Sequence, residues 1–269
     1  MTPAGPGPVV CCDLDGVLWR GGDPIPGAAA AIARLRDAEL RVGFVSNNSS
    51  QPVGEVVAKL EEMGVSAEPE DVLTSALAAA TLLAASLAPG APVLACAGPG
   101  VVEALTSVGL RPVARPPVDG VVVGLHRGFD FDELDRASAA VRNGARFVAT
   151  NLDATYPVPG GMIPGSGAIT AAVATAAGRA PEVAGKPEAP MAALVRERLG
   201  PIGVVVGDRP STDGAFAKTL GWPFALVLSG VTQADPPAGG EAIPEPPPPF
   251  VAADLGELAP QLVDAFHAG

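Results

Sequence analysis

The chain has 269 residues, 48% of them hydrophobic and only 17% charged, and 29 acids against 17 bases give a formal net charge of −12. This length and hydrophobicity suit one large domain or two moderate ones with a well-buried core. The acidity argues against a general nucleic-acid or anionic-membrane surface, since either would need basic patches, and it requires a locally positive site for any anionic ligand.

Val9–Cys12 is a short apolar run that predicts a buried strand. Helical spacing of alanine and leucine follows over 26–40, behind Pro26 and Gly27. "RVGFVSNN" reads as a strand entering a polar loop, "VGEVVAKLEEMG" as a helix stopping at Gly64, and "DVLTS" as a short strand. The alanine-rich stretch from Ser75, "SALAAATLLAASLA", is too short to span a bilayer and reads as a helix. The alternation continues with strands in "APVLACAG", "DGVVVGL" and "RFVATN", and helices in "PGVVEALTSVG", "FDELDRASAAVRNG" and "SGAITAAVATAAG". The last third gives "PEVAGK", a helix "APMAALVRERLG", a strand "IGVVVGD", a helix "TDGAFAKTLG", a strand "PFALVLSG", and a final strand and helix from Phe250. Between them, 231–249 is rich in proline and reads as an extended surface loop. Strands alternating with helices of this length predict an α/β fold with a parallel sheet. Near-continuous apolar runs such as "GVVVG" suit strands covered on both faces.

The opening "MTPAGPGP" has neither a basic nor an apolar leader segment, so no signal peptide is expected. Cys11, Cys12 and Cys96 are too few, and odd in number, for a disulfide framework; a reduced, cytoplasmic protein is the simpler reading. Cys11 and Cys12 read as packing residues. His126 is read as structural and His267 as part of a frayed tail, and neither suits a zinc site.

In open α/β sheets, function sits at the carboxyl ends of the strands. The first strand ends in Asp13-Leu14-Asp15-Gly16 and the second in Ser46-Asn47-Asn48-Ser49. "EVAG" ends in Lys186, and "GVVVG" in Asp208, with Asp213 five residues later. Acids from several strand ends can hold a hard cation such as Mg2+, which prefers oxygen ligands. The lysine and hydroxyl add donors for an anion, and the loop at Gly16 can aim backbone N–H groups at phosphate oxygens. Such a cluster suits phosphoryl transfer, where positioning and charge neutralisation dominate. Taken singly, each piece has a plainer reading: Asp13 and Asp15 as a strand-end turn, Ser46 as a helix cap, Lys186 as a solvated loop lysine.

The four segments in this order resemble the motifs of the haloacid dehalogenase superfamily of phosphatases. "CDLDGVLWRGGDPIPGA", "SNNSS", "VAGKP", "VVGDRPSTD" and "VLSGV" are similar to the subfamily that contains 4-nitrophenyl, phosphoglycolate and nucleotide phosphatases, and the likeness runs from Val9 to about Leu258. The resemblance implies a Rossmann-like three-layer α/β/α core over 1–76 and 181–269, an inserted α/β cap over 77–180, and a site at their junction. It implies Mg2+-dependent hydrolysis of a small phosphomonoester, glycerol phosphate or phosphoglycolate among the expectations. Asp13 is then the nucleophile, and Asp15 the general acid and base. Ser46, the Asn47 backbone, Asn48 and Gly16 hold the phosphoryl group, and Lys186 neutralises charge. Mg2+ is held by the Asp13 carboxylate, the Asp15 carbonyl and Asp208, with Asp213 as ligand or support. Pro210 and Gly214 depart from the usual fourth motif, which leaves the role of Asp213 open. In the cap loop, Asn151 and Asp153 are candidates for sorting substrates, and Ser166 reads as a helix N-cap or as part of that loop. A small phosphorylated metabolite is the expected partner, with no nucleic acid or membrane. The oligomeric state stays open, with a homodimer among the expectations. A phosphotransferase or mutase of the same fold, and a low-turnover phosphate-binding protein, are the alternative functions.

Overall fold

The structure, a computed structural model, describes residues 7–158, 161–233 and 241–267. Part of the proline-rich 231–249 segment and most of the opening octapeptide fall outside the described residues. The rest gather into two compact units: one within 1–46, 57–73 and 195–269, the other made of 47–56 and 74–194.

The first unit is built on a six-stranded sheet. Across it lie Val72–Thr74, Arg41–Ser46, Val9–Cys12, Gly203–Gly207, Phe224–Val227 and Phe250–Ala252. Taken as strands one to six in chain order, the sheet reads 3-2-1-4-5-6, the arrangement of a doubly wound dinucleotide-type sheet. The pairings from Arg41–Ser46 across to Phe250–Ala252 are parallel. Residues 9–12, 203–207 and 224–227 are buried throughout. Unbroken apolar strands of this kind need cover on both faces, and helices supply it. Helices Ala28–Asp37 and Leu255–His267 pack on each other and on the neighbouring strands.

The second unit carries its own five-stranded sheet, Arg111–Val113, Pro92–Cys96, Gly120–Val123, Arg146–Ala149 and Glu182–Val183 across its width. In chain order this is 2-1-3-4-5, and all four pairings are parallel. Helices Ser75–Ala84 and Pro99–Ser107 pack together, as do Phe131–Arg142 and Ser166–Ala177. The latter pair buries Ala137, Val141, Ile169 and Val173 with Val121, Val123 and Phe147 of the sheet.

The sequence expectations meet the structure at nearly every strand. The differences are short elements. A hairpin joins Trp19–Arg20 to Asp23–Pro24, and a second joins Thr155–Val158 to Gly161–Pro164. Runs of two to four residues carry too little periodicity to read. Helix Ser166–Ala177 takes Gly165, not Ser166, as its N-cap, with no side-chain cap; the Ser166 hydroxyl instead lies 3.2 Å from that of Thr150. The helix expected from Thr212 begins as a π-helical turn over Pro210–Gly214 and becomes α-helical only at Ala215. No described helix is long and apolar enough to cross a membrane.

Candidate active site

Strands Val9–Cys12 and Gly203–Gly207 flank the point where the strand order of the first sheet reverses, and ligands of such sheets bind outside the carboxyl ends at that point. Asp13 follows one strand and Asp208 the other. The Asp13 N–H donates to the Val206 carbonyl at 2.9 Å, so the ladder fixes its backbone one residue beyond the strand. Asp213 comes from the π turn, where the N–H groups of Asp213 and Gly214 both donate to the Arg209 carbonyl, at 2.7 and 3.3 Å. Single π turns often occur at functional sites, and this one turns Asp213 inward. Its carboxylate accepts the Arg209 N–H at 3.2 Å.

Carboxylate oxygens of Asp13, Asp208 and Asp213 lie within 4.8 Å of one another, with Asp208 and Asp213 only 2% and 1% exposed. Two unit charges about 5 Å apart repel by about 3–4 kcal/mol at an effective dielectric of about 20. Carboxylates gathered this closely favour a cation among them. An all-oxygen donor set fits Mg2+.

The neighbouring loops are held tightly. Gly16 has φ 83°, and a Cβ there would run into the Asp208 carboxylate and come within 3.0 Å of the Gly230 Cα. Asp208 Oδ2 accepts the Val231 N–H at 2.5 Å, and the Ser229 hydroxyl donates to the Gly16 carbonyl at 2.7 Å. The Arg20 guanidinium donates in turn to the Ser229 carbonyl. Asp15 has a partner that sequence reasoning missed: the Trp19 indole N–H donates to its Oδ1 at 2.9 Å. The turn Leu14–Trp19, closed by the Gly16 N–H to the Trp19 carbonyl at 2.7 Å, sets that geometry. The Lys59 ammonium stands 3.9 Å from the indole centroid. Burial lowers the Lys59 pKa, and the Asp15 charge opposes the shift. The motif around Trp19 carries no local signal for this bond, which depends on the two-residue hairpin strands that follow Asp15. Ser46, 4% exposed, ends its strand, and the register pairing Cys12 with Phe44 puts it at the same sheet edge as Asp13.

The remaining expected site residues lie in the second unit, and the structure brings them together around Asn47. Its Oδ1 accepts the Lys186 N–H at 2.8 Å, and its Nδ2 donates to the Lys186 carbonyl at 3.0 Å and to Asp153 Oδ2 at 3.3 Å. The Asn47 carbonyl accepts from Asn151 Nδ2 at 2.7 Å and from the Ser75 hydroxyl at 2.6 Å. Asn151 Oδ1 also accepts the Asp153 N–H at 3.0 Å. The Asn47 side chain thus grips the backbone on both sides of Lys186, which is itself 5% exposed. Asn48 donates to the Tyr156 hydroxyl at 3.1 Å, and its Oδ1 accepts from the Ser50 N–H and hydroxyl. The side-chain amides of Asn47 and Asn48 thus fix the surrounding loops.

The family description haloacid dehalogenase-like hydrolase matches residues 10–111, and a HAD-hydrolase-like description matches 183–258. The chain is 41% identical over 252 residues to the D-glycerol 3-phosphate phosphatase of Mycobacterium tuberculosis, covering 91% of this chain and 69% of that one. It is 39% identical over 223 residues to the acid sugar phosphatase of Staphylococcus haemolyticus, covering 82% and 84%. The crystal structure of the M. tuberculosis glycerol phosphate phosphatase in complex with magnesium superposes with a TM-score of 0.85 at 39% identity, covering 94% of this chain and 77% of that one. The p-nitrophenyl phosphatase from Archaeoglobus fulgidus gives 0.86 at 30% identity, over 96% and 99%.

Proposed function

Because this chain belongs to the haloacid dehalogenase-like hydrolases, we propose that it is a Mg2+-dependent phosphatase of small phosphomonoesters that works through an aspartyl-phosphate on Asp13. The observation that carries this reading is the trio Asp13, Asp208 and Asp213 at the reversal point of the first sheet, with Asp15 two residues beyond the nucleophile. The relatives named for glycerol 3-phosphate and acid sugar phosphatase activity support a small phosphorylated metabolite, with glycerol phosphate or phosphoglycolate the first to try. A core over 1–76 and 181–269 with a cap over 77–180 belongs to the same reading, as do a cytoplasmic location, a homodimer, and the absence of nucleic-acid or membrane partners.

The Asp13 and Asp208 carboxylates and the Asp15 carbonyl, with Asp213 in support, would hold Mg2+, which when bound would supply the positive charge that lets a carboxylate approach a phosphate dianion. Asp13 attacks phosphorus, an Asp13 oxygen–phosphorus bond forms, and the ester oxygen–phosphorus bond breaks. The departing alkoxide takes its proton from Asp15. Asp15 then accepts a proton from the attacking water as that water displaces the Asp13 carboxylate, which restores both acids. The Trp19 N–H holds Asp15 in one orientation throughout. Ser46 donates to the phosphoryl oxygens, Gly16 lets the backbone come close to them, and Lys186 contributes charge by its place in the motif order. Asn47 acts by holding the Lys186 backbone, Asn48 by ordering its loop, and Asn151 and Asp153 select among leaving groups.

The test is phosphate release from 4-nitrophenyl phosphate and a panel of small phosphomonoesters with Mg2+. Turnover that disappears in Asp13→Asn is the expected result. No release from any ester by the wild-type protein would overturn the reading in favour of a low-turnover binding protein. Transfer to an added acceptor alcohol that outcompetes hydrolysis would identify a phosphotransferase instead.

A further inference from the structure

Among the described residues, one other group of metal-ligating side chains converges, and it lies within the second unit. Cys96, His126 and Glu133 each offer an atom within 4.8 Å of the other two. The three are 30 and 7 residues apart, and no spacing motif joins them. Topology explains the meeting. In a sheet ordered 2-1-3-4-5, the reversal point lies between the first and third strands, here Pro92–Cys96 and Gly120–Val123. Cys96 is the last residue of one. His126 follows the other by three residues, on a connection tied down by the Gly124 N–H donating to the Cys96 carbonyl at 3.0 Å. Glu133 stands in the first turn of the next helix, which Asp130 caps by accepting its N–H at 2.8 Å. This is the position at which open α/β sheets bind ligands.

From this convergence we propose that the second unit carries a site for a zinc-class divalent cation, ligated by Cys96 Sγ, His126 Nε2 and a Glu133 carboxylate oxygen.

The donor set is the chemistry such ions select: thiolate, imidazole and carboxylate, with metal–ligand distances of about 2.0–2.3 Å. Ligands at those distances around a tetrahedral ion stand about 3.3–3.7 Å apart, so small side-chain rotations bring these three into place. His126 Nε2 is buried and lies 3.1 Å from Glu133 Oε2, yet the angle is not that of a hydrogen bond. His126 Nε2 is thus a buried nitrogen without a hydrogen-bond partner. The His126 ring is held edge-on to Phe129, with centroids 6.1 Å apart. Cys96 is fully buried beneath them, while the His126 and Glu133 side chains keep 14% and 15% exposure, leaving a solvent-side path for a fourth, water ligand. Burial, reinforced by the Glu133 charge, holds the Cys96 thiol protonated, and burial also pushes the Glu133 carboxyl up. Loading the site therefore releases the thiol proton to solvent. Thiolate and carboxylate then balance the dication; Arg136 and, more weakly, Asp130 are the other charged groups that act on Cys96, with opposite signs.

Cobalt(II) is the probe, titrated into the full chain with Mg2+ saturating so that the aspartate cluster is occupied. The expected result is a near-ultraviolet thiolate-to-cobalt band that saturates at one equivalent and is reversed by zinc. It vanishes in Cys96→Ala and persists in Asp208→Asn. His126→Gln, a partly exposed position, weakens binding by roughly tenfold or more, the loss that outer partners of metal ligands alone produce. It keeps the test open should Cys96→Ala fail to fold, as judged by its unfolding transition. Absence of a thiolate band in the wild-type protein, or binding unchanged in Cys96→Ala or in His126→Gln, would overturn the proposal and leave a buried thiol hydrogen-bonded to a carboxylate. None of these outcomes depends on phosphatase turnover.

Discussion

Replacing Gly16 by alanine separates backbone strain from damage to the cation cluster, because Gly21 supplies a matched control. Both glycines have positive φ, 83° at Gly16 and 63° at Gly21. An alanine at either costs about 1–2 kcal/mol for the left-handed backbone, so both variants should unfold a few degrees earlier. They differ in what the new methyl meets. At Gly21 nothing lies within 4 Å; at Gly16 the methyl would overlap the Asp208 carboxylate and approach the Gly230 Cα to 3.0 Å. Asp208 is tied to the Val231 N–H at 2.5 Å, so it cannot swing aside without breaking that bond. A displacement of about 1 Å at a reacting centre costs on the order of 100-fold in rate. Gly16→Ala should therefore lower kcat/KM by about that factor and raise the Mg2+ concentration needed for half-activity, while Gly21→Ala keeps both. The assay is 4-nitrophenyl phosphate hydrolysis across a Mg2+ titration, beside a thermal melt of each variant. Equal activity in the two variants, within about twofold, would refute the placing of Gly16 against the cation site.

Three further outcomes follow from contacts outside the Asp13, Asp208 and Asp213 trio. Trp19→Phe keeps the ring beneath Lys59 but deletes the donor to Asp15; hydrogen bonds to charged groups are worth about 1.5–3 kcal/mol, so kcat should fall by about tenfold or more with little change in KM. A fall in KM alone would assign Trp19 to packing. Asn47→Ala strips the Lys186 backbone of two partners and should cost about 1–3 kcal/mol in urea unfolding together with a large loss of kcat/KM; stability lost without activity would detach Asn47 from the site. Arg146 and Glu182 form a two-point ion pair at 2.7 Å for each bond, on a partly exposed surface where screening limits its worth to about 0.5–1 kcal/mol. The Arg146 hydrogen bonds lower the Glu182 pKa, so this stabilisation is present above the ordinary carboxylate value and fades as pH falls through the depressed one. A double-mutant cycle should therefore give coupling at neutral pH that disappears in acid, and coupling independent of pH would contradict the pairing.

The fold was legible because its strands are apolar runs that stop abruptly at polar residues, as "VVCC" does at Asp13 and "GVVVG" at Asp208. Side chains at strand ends need no long-range information to be noticed, which is why the aspartates, Ser46 and Lys186 stood out. What the sequence hid depends on three-dimensional register. The Trp19 bond to Asp15 arises from a hairpin whose strands have two residues each. The π turn that points Asp213 inward differs from an α-helical start by one hydrogen bond, below the resolution of periodicity. The side-chain bonds of Asn47 to Lys186 and of Asn48 to Tyr156 join residues more than a hundred positions apart, so no local pattern announces them. His126 looked solitary because Cys96 and Glu133 reach it only through the strand order of the second sheet.

The most direct test of the central claim is to trap the covalent intermediate. Enzyme mixed with a phosphorus-labelled phosphomonoester and Mg2+ is quenched in acid on the millisecond scale and digested. The account predicts hydroxylamine-sensitive label on the peptide that carries Asp13, enriched when Asp15→Ala slows its hydrolysis and missing from Asp13→Asn. Continued turnover in Asp13→Asn, or label mapping to any other residue, would contradict it.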